Sequence, residues 1–209
     1  DIAVSTKQLV LESGAVISTT SYGSGNSGNA TVNASDSVQV IGFSPLNPSL
    51  GSGIGSGVFR SSGDGGVVTV SAGRVSILNG GNIASVNFGT GQGGDVMVNA
   101  TESVEISGFV PGLFVLSSVA ATSNNAGNAG KVIINTSRLV LRDGGEVSTV
   151  TTATANAGAL TINARESVEI SGRVPGSPNA SSVRSSAPIL PYSIQQAYGL
   201  APAPSGASG

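Results

Sequence analysis

The stretch VNATESVEISG at 98–108 recurs with small changes as VNASDSVQVIG at 32–42 and INARESVEISG at 162–172. A chain that rewrites one eleven-residue phrase at distant positions is built from equivalent units, and the period of those units decides its fold. Glycine-rich endings mark the boundaries: GNSG (25–28), GDGG (63–66), GQGG (91–94), GNAG (127–130), NAG (156–158) and GASG (206–209). After each of the first five comes one variable residue and then an apolar–x–apolar step, as in VVTVSA and DVMVNA. Cutting there gives six units: 1–28, 29–66, 67–94, 95–130, 131–158 and 159–209. The odd units have 28 residues each and the even ones 38, 36 and 51, so a short unit alternates with a long one.

Within a unit the apolar residues alternate with polar ones. In 131–158 they are Val132, Ile134, Leu139, Leu141 and Val147, with Gly144–Gly145 breaking the run. In 67–94 their counterparts are Val68, Val70, Val75, Ile77 and Ile83, broken by Gly80–Gly81. Period two between Gly/Asn/Ser turns predicts strands, three short ones per unit. Three such strands cannot bury their apolar sides alone. Winding each unit into one coil and stacking the coils buries them in a continuous column, each strand pairing in parallel with its equivalent about 4.8 Å along. The expected fold is all-β: a right-handed parallel β-helix of about six coils, three strands per coil, with loop insertions in alternate coils.

Length variation is confined to the segments after Gly42, Gly108 and Gly172. The insertions are expected on one flank of the rod, the third as a long loop over 173–209, with a short helix in SIQQAYGL (193–200). Solenoid loops on one flank commonly carry contacts. The plainer reading is an insertion tolerated wherever pairing permits. Phe43, Phe109, Phe114, Tyr192 and Tyr198 fall in these loops, either as a contact surface for glycans or folded back over apolar strand surface.

Two polar registers recur. The eighth residues read Gln8, Asp36, Arg74, Glu102, Arg138 and Glu166, which predicts a ladder of alternating acid and base. The even coils place their second apolar pair one residue later, so the ladder is expected to slip by one, a gap that Arg can span. The fifth residues are Ser5, Asn33, Ser71, Asn99, Asn135 and Asn163, a column suited to passing amide hydrogen bonds between coils. Thr19, Ser85 and Thr149 also recur at one position, in alternate coils, as an ice-binding array would require in every coil.

The sequence offers little chemistry. It has no His and no Cys, which removes triads, disulfides and most transition-metal sites. Glu105 and Glu169 share a register two coils apart, roughly 9–10 Å, a separation that nominally suits an inverting glycosidase. Repeats place like residues at such spacings automatically. The acid of GDGG (63–66) is missing from GQGG and GNAG, so no calcium ladder is expected, and no cofactor is implied. A net charge of −2 gives no case for nucleic acid.

The units GDVMVNATESVEISG, GKVIINTSRLVLRDGGEVSTVTTATANAG and GALTINARESVEISG resemble the repeats of large cyanobacterial exoproteins. These are the filamentous-haemagglutinin-like, two-partner-secretion proteins, often labelled S-layer family. The resemblance spans the whole chain and carries no catalytic residues. It implies β-helical rods at the cell surface, exported through an outer-membrane secretion partner. The expected role is therefore structural or adhesive and non-enzymatic. The chain would be an extracellular β-solenoid in a filament or coat, in contact with copies of itself or with flanking coils head-to-tail, and with surface glycans. A polysaccharide-binding or polysaccharide-cleaving β-helix is the alternative, which an aromatic row or an acidic cluster on one strand face would favour.

Overall fold

The structure, a computed structural model, describes residues 1–59, 62–113, 115–124, 127–152, 155–177 and 179–187. Among them there is no helix. Six long strands, β1 (Ile2–Glu12), β3 (Ala30–Ile41), β5 (Val68–Leu78), β7 (Val96–Ser107), β11 (Val132–Arg142) and β13 (Leu160–Ile170), form one sheet in that order. Six short ones, β2 (Val16–Ser21), β4 (Gly53–Val58), β6 (Asn82–Asn87), β10 (Ser118–Ser123), β12 (Glu146–Thr151) and β14 (Ser182–Ser186), form a second sheet, again in chain order. All neighbours in both sheets are parallel. The chain alternates between the sheets, leaving one long and one short strand at each passage, an arrangement consistent with a β-solenoid. Each of the first five glycine-rich endings lies between a short strand and the next long one.

The inward positions stack as their spacing requires. Val68, Val96 and Val132 are register partners, as are Val70, Val98 and Ile134, then Val75, Val104 and Leu139. From the short strands Ile54, Ile83, Val119 and Val147 form a matching column. These residues are buried in one continuous core between the sheets. Each fully buried Val or Ile contributes about 1.5–3 kcal/mol, so the core grows by a fixed increment per passage.

Two expectations change. The first two predicted strands of each unit are a single strand, because pairing with the neighbours continues through the polar residues between them. Ser71 pairs Asn99 and Ala72 pairs Ala100 before the register shifts, and Arg74 then pairs Ser103. The same shift recurs at every long-strand pair, where the even passage carries one extra residue. Secondly, the insertions are shorter than their sequences suggest. GIGSGV, SVAATS and SVRSS, which follow Gly42, Gly108 and Gly172, are β4, β10 and β14. The predicted long loop over 173–209 therefore re-enters the short-strand sheet at 182–186, and the predicted helix at 193–200 lies outside the described residues.

Thr19, Ser85 and Thr149 face inward rather than outward: they are 8%, 0% and 0% exposed. Thr19 Oγ1 donates to the Gly28 carbonyl at 2.6 Å, Ser85 Oγ to that of Gly66 at 3.2 Å and Thr149 Oγ1 to that of Gly158 at 2.7 Å. A buried hydroxyl must find a partner, and the glycine corner supplies one. These side chains are thus unavailable as an ice-binding array.

The corner itself explains the glycines. Gly28, Gly66, Gly94, Gly130 and Gly158 stack so closely that a Cβ added to any of the last four would collide with the carbonyl of the one before. Replacing Gly94 with Ala is therefore expected to cost about 3 kcal/mol or more, as overpacking against backbone does, while Gly25→Ala, which meets nothing within 4 Å, should stay within about 0.5 kcal/mol. Urea denaturation of the two variants checks this.

Candidate contact surfaces

At the far end of each long strand the odd and even passages part company. The odd ones turn through two successive left-handed residues, Ser13–Gly14, Asn79–Gly80 and Asp143–Gly144. Backbone bonds from Gly81 N–H to the Leu78 carbonyl (3.0 Å) and from Gly145 N–H to the Arg142 carbonyl (2.9 Å) close the turns. Asn and Asp tolerate positive φ better than other non-glycine residues, hence NG and DG there. The even passages instead leave the sheet after Gly42, Gly108 and Gly172 and return at Ser52, Ser117 and Ser181. Each of those serines donates its N–H to the carbonyl of the departing glycine, at 2.9, 3.0 and 3.1 Å. Their Oγ atoms accept the N–H of Gly14, Gly80 and Gly144 in the preceding passage, at 3.0, 2.9 and 3.0 Å. One serine thus clamps both the neck of its loop and the neighbouring turn.

The loops are small antiparallel excursions. Phe109–Val110 (β8) pairs with Val115–Leu116 (β9), Phe43 bridges Gly51, and Arg173 bridges Ala180. Val110 and Val174 are fully buried, each lying where a Cβ on Gly80 or Gly144 would stand. All three excursions leave the same edge of the long-strand sheet, since Gly42 pairs with Leu78 and Gly108 with Arg142 through their N–H groups. Odd passages carry none, so adjacent excursions enclose gaps. Between those at 109–116 and 173–180 lies a cleft of about 620 Å³. Leu116 and Ala180 stand on its walls, and Glu146 and Arg184, joined at 2.6 Å, on its floor.

Of the five loop aromatics, Phe43 and Phe109 are half-buried and make no ring contact with each other among the described residues. Phe114, Tyr192 and Tyr198 lie outside the described residues. The rings that do come together are Tyr22, Phe59 and Phe88. Centroids are 5.4 Å apart from Tyr22 to Phe59 and 5.1 Å from Phe59 to Phe88, with planes inclined by 20° and 23°. Each follows the last residue of its short strand: Ser21, Val58 and Asn87 are register partners. That common offset was the available signal, hidden because GIGSGV reads as loop. The rings stack face to face with one another, which covers both faces of Phe59, while Tyr22, at one end of the column, is 78% exposed. They form a column along the stack.

The charged ladder forms in part, with its expected slip. Arg74 donates to Asp36 at 2.6 Å and to Glu102 at 2.9 Å; Arg138 reaches Glu166 at 3.5 Å; Gln8 Nε2 donates to Asp36 at 2.7 Å. No ion pair closes the step from Glu102 to Arg138 among the described residues. The carboxylates raise the pKa of Arg74, first through its hydrogen bond to Glu102 and then through the charges of Glu102 and Asp36. On β11 Arg142 pairs with Glu105, whose hydrogen bond raises the Arg142 pKa, with a smaller contribution from the charge of Glu169. Val140 is the register partner of both Glu105 and Glu169, and Arg142 lies two residues further along the same strand. The turn acids hold backbone: Asp64 accepts the Gln92 N–H at 2.8 Å and Asp95 the Lys131 N–H at 2.7 Å. No family model, no curated protein and no solved structure matches the chain.

The ladder is solvent-exposed, so its contribution should be small and screened by salt. Arg74→Met leaves Asp36 and Glu102 facing each other without a cation. At low ionic strength the variant should melt a few degrees below the parent, with most of the gap closing in about 1 M salt, where the Debye length is about 3 Å. Calorimetry at the two ionic strengths measures it.

Proposed function

We propose that the chain forms six coils, 1–28 to 159–209, of a right-handed parallel β-helix. In this reading it belongs to a non-enzymatic, extracellular filament or coat of the cell surface. The resemblance of its repeats to two-partner-secretion exoproteins supports export through an outer-membrane partner. The observation that carries the reading is the unfinished core on β13. Leu139 and Leu141 are fully buried beneath their register partners Val168 and Ile170, yet Val168 and Ile170 are themselves 49% and 47% exposed. Inward-facing apolar residues left half-open, on a strand with no further strand paired to its outer edge among the described residues, call for another coil. We assign that coil to a head-to-tail neighbour, either more of the same protein or a second copy.

The parity of the repeat supports this choice. β13 lies in a long passage, and β1 lies in a short one, so placing a β1-like strand on β13 continues the alternation. Gln8 then stands over Glu166 as it stands over Asp36, donating to an acid on each side where Arg74 does the same with charge. The loop flank, carrying Phe43 and Phe109 and the cleft over Glu146, is the surface offered for adhesion, with surface glycans as its contacts.

Negative-stain electron microscopy of concentrated protein is expected to show rods of constant width whose length grows with concentration. Ile170→Glu should shorten them to single particles while leaving the far-ultraviolet circular dichroism unchanged. Discrete particles from the unaltered protein at every concentration would overturn the head-to-tail assignment.

A further inference from the structure

One far-corner turn carries a covalent hazard. Asn79–Gly80 is the one Asn–Gly pair in the chain. In a mobile peptide such a pair attacks itself. The glycine amide nitrogen, its proton taken by base, adds to the asparagine Cγ; ammonia leaves and a succinimide ring closes. Water then opens the ring at either carbonyl, giving aspartate or isoaspartate. Glycine favours the attack because no Cβ shields its nitrogen, and asparagine is a thermolabile residue that heat-stable proteins use sparingly.

The turn pins every group that the reaction must move. Asn79 and Gly80 both lie in the left-handed region, at φ 53° and 92°. The Asn79 N–H donates to the Ser107 carbonyl at 2.8 Å, the Gly80 N–H to Ser117 Oγ at 2.9 Å and the Gly81 N–H to the Leu78 carbonyl at 3.0 Å. To reach Cγ, the Gly80 nitrogen must swing with its peptide plane about the Asn79 Cα–C bond. That swing breaks its bond to Ser117 and pulls Gly81 away from Leu78. Ser117 is held in place, its Oγ donating to the Ser107 carbonyl at 2.7 Å and its N–H to that of Gly108 at 3.0 Å. Gly80 and Ser117 are both buried, and buried Val110 packs over Gly80, which also keeps solvent base from the nitrogen.

The next odd passage shows what this turn accepts. Asp143 and Gly144 have φ 52° and 93°, and the Gly144 N–H donates to Ser181 Oγ at 3.0 Å. Asp143 Oδ1 stands where a Cβ on Gly172 would go, as Asn79 Oδ1 stands toward Gly108. Aspartate therefore fits the site. Isoaspartate does not, because it routes the chain through the side-chain carboxyl and lengthens the backbone by one atom. The bonds to Ser107 and Leu78 cannot then both be kept with the strands in register.

We propose that Asn79 is a latent self-modification site, kept unreacted by the Ser117 hydroxyl and released when the neck of the 109–116 hairpin opens. Ser117 acts here as a positioning residue: it holds the Gly80 nitrogen away from the Asn79 carboxamide. The proposal is independent of the head-to-tail reading.

The test is incubation of the whole protein at mildly alkaline pH, with peptide mass spectrometry following aspartate and isoaspartate at position 79. Reaction waits on local opening, so the folded parent should convert on the order of a hundredfold more slowly than the same protein in urea. Ser117→Ala should convert roughly tenfold faster than the parent, the scale of one lost buried hydrogen bond. Ser181→Ala removes the same clamp two passages away and should leave the rate at Asn79 unchanged, which separates the local hold from a general loosening. Circular dichroism confirms that each variant is folded. Conversion of the folded parent at the rate seen in urea would overturn the proposal, and so would Ser117→Ala reacting no faster than Ser181→Ala. The first comparison decides the matter even where Ser117→Ala does not fold.

Discussion

Close backbone approach at the glycine corners is the constraint on which everything else rests. Parallel strands in consecutive passages pair only if the chain returns to the same height each time, and it returns through Gly28, Gly66, Gly94, Gly130 and Gly158 packed carbonyl to Cα. A side chain at any of the last four would prop its passage away from the one below. The corner carbonyls so created are buried, and the inward hydroxyls of Thr19, Ser85 and Thr149 answer them. These three inward hydroxyls are a consequence of the corners, whereas the buried hydroxyls of Ser123 and Thr151 have no hydrogen-bond partner among the described residues.

From that constraint the division of labour follows. The long strands carry the polar registers, because their outward positions recur in every passage on either side of the register shift. The far corners carry the variation, because a turn through Asn79–Gly80 or Asp143–Gly144 can be exchanged for a hairpin without disturbing either sheet. Ser117 Oγ shows how the exchange is made: it accepts the Gly80 N–H and donates to the Ser107 carbonyl at 2.7 Å, so the hairpin's neck is tied to both adjacent passages. Such a frame holds surfaces of different chemistry on different faces: ion pairs and an amide column on the long-strand sheet, apolar hairpins and a cleft on the loop edge.

Several features were legible residue by residue. The alternation of Val68, Val70, Val75 and Ile77 placed them inward, and they are buried. The second apolar pair of the even units, such as Val104 and Ile106, comes one residue later than Val75 and Ile77, which foretold the register shift and the reach of Arg74 across it. The asparagines at the fifth position do pass amide hydrogen bonds. Less was legible in the short-strand sheet. GIGSGV has poor strand propensity and is a strand because VISTTS and NIASVN lie on either side of it; what a sheet position tolerates is set by its neighbours more than by the residue. With that strand hidden, nothing in the sequence sets Phe59 beside Tyr22 and Phe88.

The sequence by itself determined the number of units, their alternation of short and long, and the positions that face the core, since these are periodic properties that a reader can count along one dimension. Only the tertiary structure decided that the two halves of each long strand are one, that Thr19 and its equivalents point inward, and that Tyr22, Phe59 and Phe88 meet in one column. The first and last of these depend on what a residue meets across the sheet from a neighbour 28 to 38 positions away, the second on a glycine corner 9 or 19 positions away, and the chemistry of each meeting exists only once the chain is wound.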